Sequence, residues 1–259
     1  MKHAETNRIV PGAKYAVLFI HGIVGTPNQF RNVIDLEGLV PEGFSVRNLC
    51  LPGHGLGVKE FAETSRREWG SYVRQAFQEL ARSHEKVIVV GHSMGTLFGL
   101  QLQREFPEKI AGLFLLNVPL RPWLRMWGIV NCIRLSLDCV RMDRSREASI
   151  LLACGVNPTT RIWRYIPWIP RYLDLFVEII HTERNLTEPT IPYNIIQSRK
   201  DELVSNHTAG VLRKIGFHHV MELPESSHFY YPAPEKEEIQ LAFWEMLCAI
   251  STKVLEIIP

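Results

Sequence analysis

The sequence lacks several features that would assign it to a functional class at once. Its 259 residues carry a net charge of only +2, so no basic footprint indicates a nucleic-acid-binding protein. The five cysteines form no CxxC pair, which argues against a disulfide framework and a zinc site. No glycine-rich phosphate loop, no membrane-length apolar run and no signal-peptide core are found. We therefore expect a soluble, cytoplasmic protein without metal, cofactor or nucleic acid.

Short apolar runs alternate with longer amphipathic stretches over most of the chain. Strands are predicted at residues 15–20, 44–51, 87–90, 110–118, 193–196 and 219–223, and helices at residues 68–83, 97–106, 206–215 and 235–255. This alternation is typical of an α/β protein, in which helices cover both faces of a parallel sheet. The alternation stops at residues 119–189, a segment with four of the six tryptophans and no clear strand. We predict a core formed by residues 1–118 and 190–259, interrupted by a helical insertion at 119–189.

Residues 91–95 read Gly-His-Ser-Met-Gly and directly follow a predicted strand. A serine between two glycines, at a turn from strand to helix, is the setting of a nucleophile elbow. The turn is so sharp that side chains beside the serine would clash, which accounts for the glycines. The start of the helix also favours negative charge that develops nearby. We predict that Ser93 is a nucleophile; the alternative is a glycine-rich turn in which Ser93 only caps the helix.

A serine hydroxyl is a weak nucleophile unless a base activates it, and in such folds an acid and then a histidine follow the serine. Of the five aspartates, only Asp201 follows the serine outside the insertion. It comes just after the strand at 193–196, at the strand end where catalytic groups of open α/β sheets gather. Asp201 is therefore the predicted acid and Glu202 its substitute. A solvated loop aspartate is the alternative.

His228 follows the predicted strand at 219–223 and should share the sheet edge with Asp201. His218 and His219 precede that strand, so we expect them on the surface at its opposite end. His228 is the predicted general base, although an exposed loop histidine would give the same pattern.

Acyl transfer also needs N–H donors for the oxyanion that forms on the substrate. One predicted donor is the backbone N–H of Met94, immediately after the nucleophile. The other is the N–H of Ile23, in the loop at residues 21–25, whose glycines let the backbone approach a substrate. We expect His21 to hold this loop rather than to act as a second base.

These segments together resemble the esterase and monoacylglycerol-lipase group of α/β-hydrolases. The matching segments stand in the order found in that group: residues 21–25 (His-Gly-Ile-Val-Gly), 51–55 (Leu-Pro-Gly-His-Gly), 91–95, 201–204 (Asp-Glu-Leu-Val) and 227–228 (Ser-His). The resemblance implies the α/β-hydrolase fold, with a mostly parallel central sheet, helices on both faces and a helical cap inserted before the acid-bearing strand. Two departures, Thr96 and Ser198 at positions where glycine is common, remove no catalytic atom.

The resemblance implies hydrolysis of a carboxylic ester through an acyl-enzyme, with Ser93, His228 and Asp201 as the catalytic residues. The expected substrate is a monoacylglycerol or a similar acyl ester of short or medium chain length. Thioesterases, C–C hydrolases and perhydrolases share this scaffold, and a ligand-binding protein could use the same pocket without catalysis. The fold does not decide among these functions.

The insertion is expected to set substrate specificity. Trp123 and Trp127 are predicted to line the acyl pocket, although such residues more often only pack a cap against the sheet. Nine arginines but only three acidic residues lie between Pro119 and Tyr172. A basic surface with tryptophans predicts peripheral contact with anionic lipid or an acidic substrate, whereas a solvated charged face is the ordinary alternative.

Overall fold

The computed structural model describes residues 3–123, 145–154 and 161–252. Seven strands form one sheet: β1 (Thr6–Arg8), β2 (Tyr15–Ile20), β3 (Ser45–Asn48), β4 (Lys86–His92), β5 (Ile110–Leu116), β6 (Tyr193–Ser198) and β7 (Val220–Leu223). Their spatial order is β1-β3-β2-β4-β5-β6-β7. β1 runs antiparallel to β3, and all other neighbours are parallel. The predicted mostly parallel sheet is confirmed, and the short antiparallel edge strand β1 was not predicted.

Helices cover both faces of this sheet. They are α1 (Val58–Ala62), α2 (Arg66–Ser83), α3 (Met94–Glu105), α4 (Ser145–Ala153), α5 (Ile169–Arg184), α6 (His207–Ile215) and α7 (Ala233–Thr252). Alternate residues of β2 point to opposite faces, so Leu18 belongs to the core cluster under α2 and α3, whereas Phe19 belongs to the cluster under α7. None of the helices in the described ranges is long and apolar enough to cross a membrane.

α2 shows why the sequence pattern forms a helix here. Its buried residues, Trp69, Val73, Ala76, Phe77 and Leu80, repeat at the spacing of one helical face. The helix begins two residues before the predicted start, because the hydroxyl of Ser65 accepts a hydrogen bond from the N–H of Glu68 and so caps its first turn.

The carboxyl ends of four neighbouring strands meet at one edge of the sheet. His92 at the end of β4 pairs with Leu116 of β5, Leu116 pairs with Ile196 of β6, and Ser198 of β6 pairs with Leu223 of β7. The loops that follow these strands therefore lie side by side. This register, rather than any feature of the loops, brings residues from distant parts of the chain together.

The segment predicted as an insertion, residues 119–189, lies between β5 and β6 along the chain. Its described residues contain α4, a 3-10 helix at Ile162–Trp168 and α5, and they contribute no strand to the sheet. The indole N–H of Trp168 donates to the carbonyl of Val58 at 2.8 Å, and its ring packs edge-on against Phe61. This tryptophan therefore packs the insertion against the core.

Candidate active site

Ser93 stands at the turn between β4 and α3 in a strained backbone conformation. Its φ of 51° and ψ of −121° lie outside the regions that non-glycine residues commonly adopt. The N–H of Ser93 donates to the carbonyl of Leu116 at 2.8 Å, which fixes the turn against β5. The Ser93 side chain makes no capping hydrogen bond to α3. The alternative in which Ser93 caps the helix through its side chain thus has no hydrogen bond to support it.

Two glycines allow other backbone segments to approach this turn. A Cβ on Gly95 would overlap the carbonyl oxygen of Ile20, so no side chain fits between α3 and the end of β2. A Cβ on Gly22 would lie 2.8 Å from the Cβ and 3.3 Å from the Oγ of Ser93. The loop after β2 therefore lies directly against the serine hydroxyl, where only glycine leaves room.

Both predicted oxyanion donors lie next to this contact. Met94 is the first residue of α3 and directly follows Ser93, while Ile23 directly follows Gly22. Ile23 and Val24 form a turn closed by a hydrogen bond from the N–H of Gly25 to the carbonyl of Gly22, at 3.0 Å. Val24 has a φ of 59°, a genuine outlier for a β-branched residue. The structure thus holds this loop in a strained shape beside the serine.

His21 holds the same loop through both of its ring nitrogens. Its Nε2 accepts the N–H of Leu51 at 3.0 Å, so Nδ1 carries the proton and donates to the carbonyl of Gly22 at 2.8 Å. Burial, together with the neighbouring ring of His54, lowers the pKa of His21 well below its usual value. His21 is therefore neutral and ties the loop to the segment after β3.

Asp201 and His228 form a buried pair on the loops that follow β6 and β7. Each is 2% exposed, and the Nδ1 of His228 donates to Oδ2 of Asp201 at 2.7 Å. Oδ1 of Asp201 accepts the N–H groups of Leu203 and Val204, at 2.7 and 2.8 Å. Glu202 instead accepts the main-chain N–H of His228 at 3.2 Å. Asp201 and His228 are thus both buried, and Asp201 rather than Glu202 bonds the ring of His228.

The protonated form of His228 is stabilised inside the protein. Burial opposes a charge on the ring, but the charge and hydrogen bond of Asp201, with the charge of Glu202, outweigh it and raise the pKa of His228. Its ring lies 4.8 Å, between centroids, from the ring of His92, the residue before Ser93. The hydrogen bond at Nδ1 leaves Nε2 as the atom that can exchange a proton with a reacting group.

Three further residues at this edge were missed by sequence reasoning. The carbonyl of His228 accepts hydrogen bonds from His92 Nε2 at 2.9 Å, from the hydroxyl of Tyr231 at 3.3 Å and from Asn117 Nδ2 at 3.4 Å. Asn117 was passed over because it lies within the apolar run at 110–118. A polar residue directly after the buried strand β5 was the available signal, because such positions gather at the functional edge.

The insertion also reaches this edge. The N–H of Trp123 donates to the carbonyl of Leu203 at 2.7 Å, so Trp123 lies beside the Asp201 loop and is 49% exposed. At the end of α4, the carbonyl of Ala153 accepts the hydroxyl of Thr26 at 3.1 Å, four residues after Gly22. Trp127, the second predicted pocket residue, lies outside the described residues.

No group of three or more His, Cys, Asp or Glu side chains is placed to hold a metal ion within residues 3–123, 145–154 and 161–252. The sheet topology, the strained serine turn and the buried histidine–carboxylate pair define the class as an α/β-hydrolase fold. The chain belongs to the alpha/beta hydrolase family, whose sequence profile matches residues 17–238.

Several solved structures share this fold at low sequence identity. A lipolytic enzyme from the metagenome-derived pair LipS and LipT superimposes with a TM-score of 0.71 at 22% identity, covering 97% of this chain and 98% of that one. The monoacylglycerol lipase of Paleococcus ferrophilus gives a TM-score of 0.64 at 18% identity, with coverages of 95% and 98%. A tetrameric haloalkane dehalogenase of Paraglaciecola agarilytica NO2 gives 0.63 at 14% identity, with coverages of 93% and 85%. Proteins of different activity thus share the fold.

A curated relative shows similarity over a shorter segment. The dihydrolipoyllysine-residue acetyltransferase component of the acetoin cleaving system of Cupriavidus necator is 31% identical over 106 residues, which are 41% of this chain. The match spans 27% of the length of that relative. This partial match agrees with the family membership and does not extend to the reaction of that relative.

Proposed function

We propose that this chain is a serine hydrolase that cleaves carboxylic esters through an acyl-enzyme. The observation that carries the proposal is the buried hydrogen bond of 2.7 Å between His228 and Asp201, on loops beside the strained turn of Ser93. A buried carboxylate that fixes an imidazole beside a serine hydroxyl is the arrangement that activates serine. The family and its esterase and lipase neighbours support the same class of reaction.

The proposed reaction begins when Oγ of Ser93 attacks the ester carbonyl and Nε2 of His228 takes its proton. The N–H groups of Ile23 and Met94 stabilise the oxyanion, and Asp201 stabilises the imidazolium. Collapse of the tetrahedral intermediate breaks the ester bond, and His228 protonates the leaving alcohol. Water, deprotonated by His228, then attacks the acyl-enzyme, which releases the acid and restores Ser93.

We propose a monoacylglycerol or a similar short- or medium-chain acyl ester as the substrate, and residues 119–189 as a cap over Ser93. The cap is supported by contacts from two of its described parts. Trp123 bonds the loop after Asp201, and Ala153 bonds Thr26 in the segment after Gly22. A thioesterase, a C–C hydrolase and a perhydrolase would use the same three residues, and so remain alternative activities. A ligand-binding protein would leave Ser93 unreactive.

The test combines covalent labelling with a substrate panel. A fluorophosphonate probe should label the wild-type chain at Ser93, identified by mass spectrometry of the labelled peptide. Ser93→Ala should abolish labelling and lower kcat about 10⁴-fold or more on p-nitrophenyl esters, since only binding and the oxyanion donors remain. Acyl thioesters, assayed in parallel, separate the thioesterase alternative. Wild-type activity of Ser93→Ala on every ester would refute the proposal.

We further infer that the cap contacts a lipid surface through an exposed apolar face of α5 and the preceding 3-10 helix. The exposed residues on this face are Trp163, Ile166, Ile169, Leu173, Phe176, Val177 and Ile180. The other side of α5 is anchored, because Glu178 accepts hydrogen bonds from Arg66 and Gln101 of the core. A contiguous apolar face with a tryptophan at one end fits the boundary between water and acyl chains.

Two arginines of residues 119–189 have acidic partners within the same segment. Arg121 pairs with Glu183 at 2.6 Å, and Arg171 pairs with Asp174 at 3.2 Å, so both charges are compensated within the cap. The apolar face therefore carries the inference.

Co-sedimentation with vesicles of phosphatidylcholine and phosphatidylglycerol tests this surface. Leu173→Glu should weaken vesicle binding about 10-fold, because the transfer of one leucine side chain is lost. Leu241→Glu is a matched control, since Leu173 and Leu241 are both helical leucines with 57% exposure. Equal vesicle binding by the two variants would refute the inference. A wild-type dimer in size-exclusion chromatography that Leu173→Glu alone dissociates would also refute it, because a second copy of the chain would then cover this face.

A further inference from the structure

The main chain of His228 is held at both of its polar atoms. Its N–H donates to Glu202, and its carbonyl accepts His92 Nε2 at 2.9 Å, with Tyr231 and Asn117 as two weaker donors. A carbonyl has two lone pairs, so three donors saturate it. The ring of His228 can shift only if several buried hydrogen bonds break or lengthen.

Asn117 connects this carbonyl to the strand that carries the acid. Its Oδ1 accepts the N–H of Ser198, the last residue of β6, at 2.9 Å. Its Nδ2 donates to the carbonyl of His228 and, at 3.1 Å, to the hydroxyl of Tyr231. One carboxamide thus spans the gap between the end of β6, three residues before Asp201, and the loop of the proposed base.

The backbone of Asn117 is adapted to this role. Its φ is 55°, in the left-handed region, where asparagine is enriched among non-glycine residues. Its N–H donates to Ile196 at 2.8 Å, so the residue is fixed to β6 by both main chain and side chain. The residue is 1% exposed, so its hydrogen bonds are shielded from bulk solvent.

The hydroxyl of Tyr231 remains a donor over the whole working range of pH. Burial, followed by the negative charges of Asp201 and Glu202, raises the pKa of Tyr231 well above its usual value. The proton on its oxygen can therefore serve the carbonyl of His228 while the oxygen accepts from Asn117.

We propose that Asn117 and Tyr231 are positioning residues, which fix His228 relative to Asp201 and Ser93 by holding its main-chain carbonyl. The inference rests on the proposed serine hydrolase function and adds two residues to it. Both act through His228 and need touch no substrate. Misplacing a catalytic group by about 1 Å can cost roughly 10²-fold in rate. Loss of the hydrogen bonds from Asn117 and Tyr231 to the His228 carbonyl, here called the carbonyl clamp, should therefore have a measurable effect on kcat.

Tyr231→Phe and Tyr193→Phe form a matched pair of variants. Both hydroxyls are hydrogen-bonded and both tyrosines are 6% exposed, but Tyr193 serves His218 at the opposite end of β6, where its hydroxyl accepts an N–H at 2.9 Å. We expect both variants to lower Tm by a similar amount, about 2–4 °C, because each loses a buried hydrogen-bonded hydroxyl. Only Tyr231→Phe should lower kcat, by about 10-fold with unchanged KM. In this variant the acidic limb of the pH profile of kcat/KM should also shift.

Asn117→Gly extends the test to the carboxamide. Glycine keeps the left-handed backbone without strain, so the variant removes the side chain alone. We expect kcat to fall up to about 10²-fold, together with the rate of fluorophosphonate labelling. Asn117→Asp replaces it if the glycine variant does not fold, because aspartate retains the acceptor for Ser198 and loses both donors.

A double-mutant cycle separates positioning from simple stabilisation. If the carbonyl clamp acts through the ring of His228, adding Tyr231→Phe to the His228→Ala variant should not lower its residual rate further. Equal kcat values for Tyr231→Phe and Tyr193→Phe, or an additive effect in His228→Ala, would overturn the positioning roles. Retained activity in Ser93→Ala would instead overturn the hydrolase function itself, so the two failures are distinguishable.

Discussion

The sheet edge that holds the proposed active site and the outer face of α5 differ in which side chains they bury. At the sheet edge, polar groups such as Asp201, His228 and Asn117 are buried and hydrogen-bonded to one another. On α5, apolar groups such as Leu173 and Phe176 are exposed. Ordinary folding would place each type of residue in the other environment, because buried polar groups and exposed apolar patches both cost free energy.

We infer that function, rather than stability, selects the residues in these two regions. The sheet edge keeps its costly buried polar groups because they hold one another in a fixed geometry. The face of α5 keeps its apolar groups exposed, which is consistent with the proposed contact with lipid. Breaking a contact at the sheet edge should therefore change the rate of the reaction, whereas changes on the cap should change the choice and delivery of substrate.

The largest difference between the sheet edge and the cap is expected in kcat when Asp201, the proposed acid, is replaced. Asp201→Asn should lower kcat about 10³-fold, because the amide favours the wrong tautomer of His228. Glu202→Gln should have a much smaller effect, since Glu202 bonds the main-chain N–H of His228 rather than the ring. Steady-state kinetics on one p-nitrophenyl ester, with circular dichroism to verify folding, measures both. A larger loss for Glu202→Gln would assign the acid to Glu202.

A change of specificity is expected at the cap. Trp123 lies beside the Asp201 loop with about half of its surface exposed. If it lines the acyl pocket, Trp123→Ala should change the ratio of kcat/KM on butyrate and laurate esters by about 10- to 200-fold. Trp163→Ala, on the outer face of the cap, serves as the control. An unchanged ratio in both variants, with intact fluorophosphonate labelling, would place the pocket elsewhere.

A smaller effect concerns stability in acid. Burial lowers the pKa of His54 to about 4, below its value of about 6.5 in the unfolded chain. The unfolded chain therefore binds more protons, and the contribution of His54 to stability is lost as pH falls from about 6.5 to 4. We expect the free energy of unfolding to drop by about 1 kcal/mol per pH unit from this residue. Urea titrations of the wild type and His54→Gln between pH 7 and pH 5 measure it; parallel slopes would contradict the assignment.

The smallest expected effect is a shift in the pH profile. A neutral His228 is needed to accept the serine proton, so activity should fall as pH drops through its raised pKa. Glu202→Gln removes one of the charges that raise this pKa, so the acidic limb of kcat/KM should move to lower pH. Glu225→Gln, an exposed carboxylate paired with Lys200, is the control. Movement of the limb to higher pH in Glu202→Gln would contradict this electrostatic role.

Much of the fold was predictable because strong local patterns encode it. β2, β4 and β5 are buried on both faces, so they read as continuous apolar runs, and α2 carries its buried residues at helical spacing. The strand β1 was not predicted, because three partly exposed polar residues form it only by pairing with β3. Such an edge strand has no local signal.

For the site, the sequence alone determined the serine turn. The Gly-His-Ser-Met-Gly segment predicts the sharp turn after β4, and the order of the acid and the histidine along the chain narrowed the candidates to Asp201 and His228.

Tertiary structure decided what each of these residues contacts. Glu202 was the alternative acid in the sequence. Only the loop geometry shows that Glu202 accepts the main-chain N–H of His228, whereas Asp201 bonds the ring. The roles of Asn117 and Tyr231 arise where β5, β6 and the loop after β7 meet. They depend on the register of the sheet, since hydrogen bonds between residues more than a hundred positions apart leave no trace in local sequence.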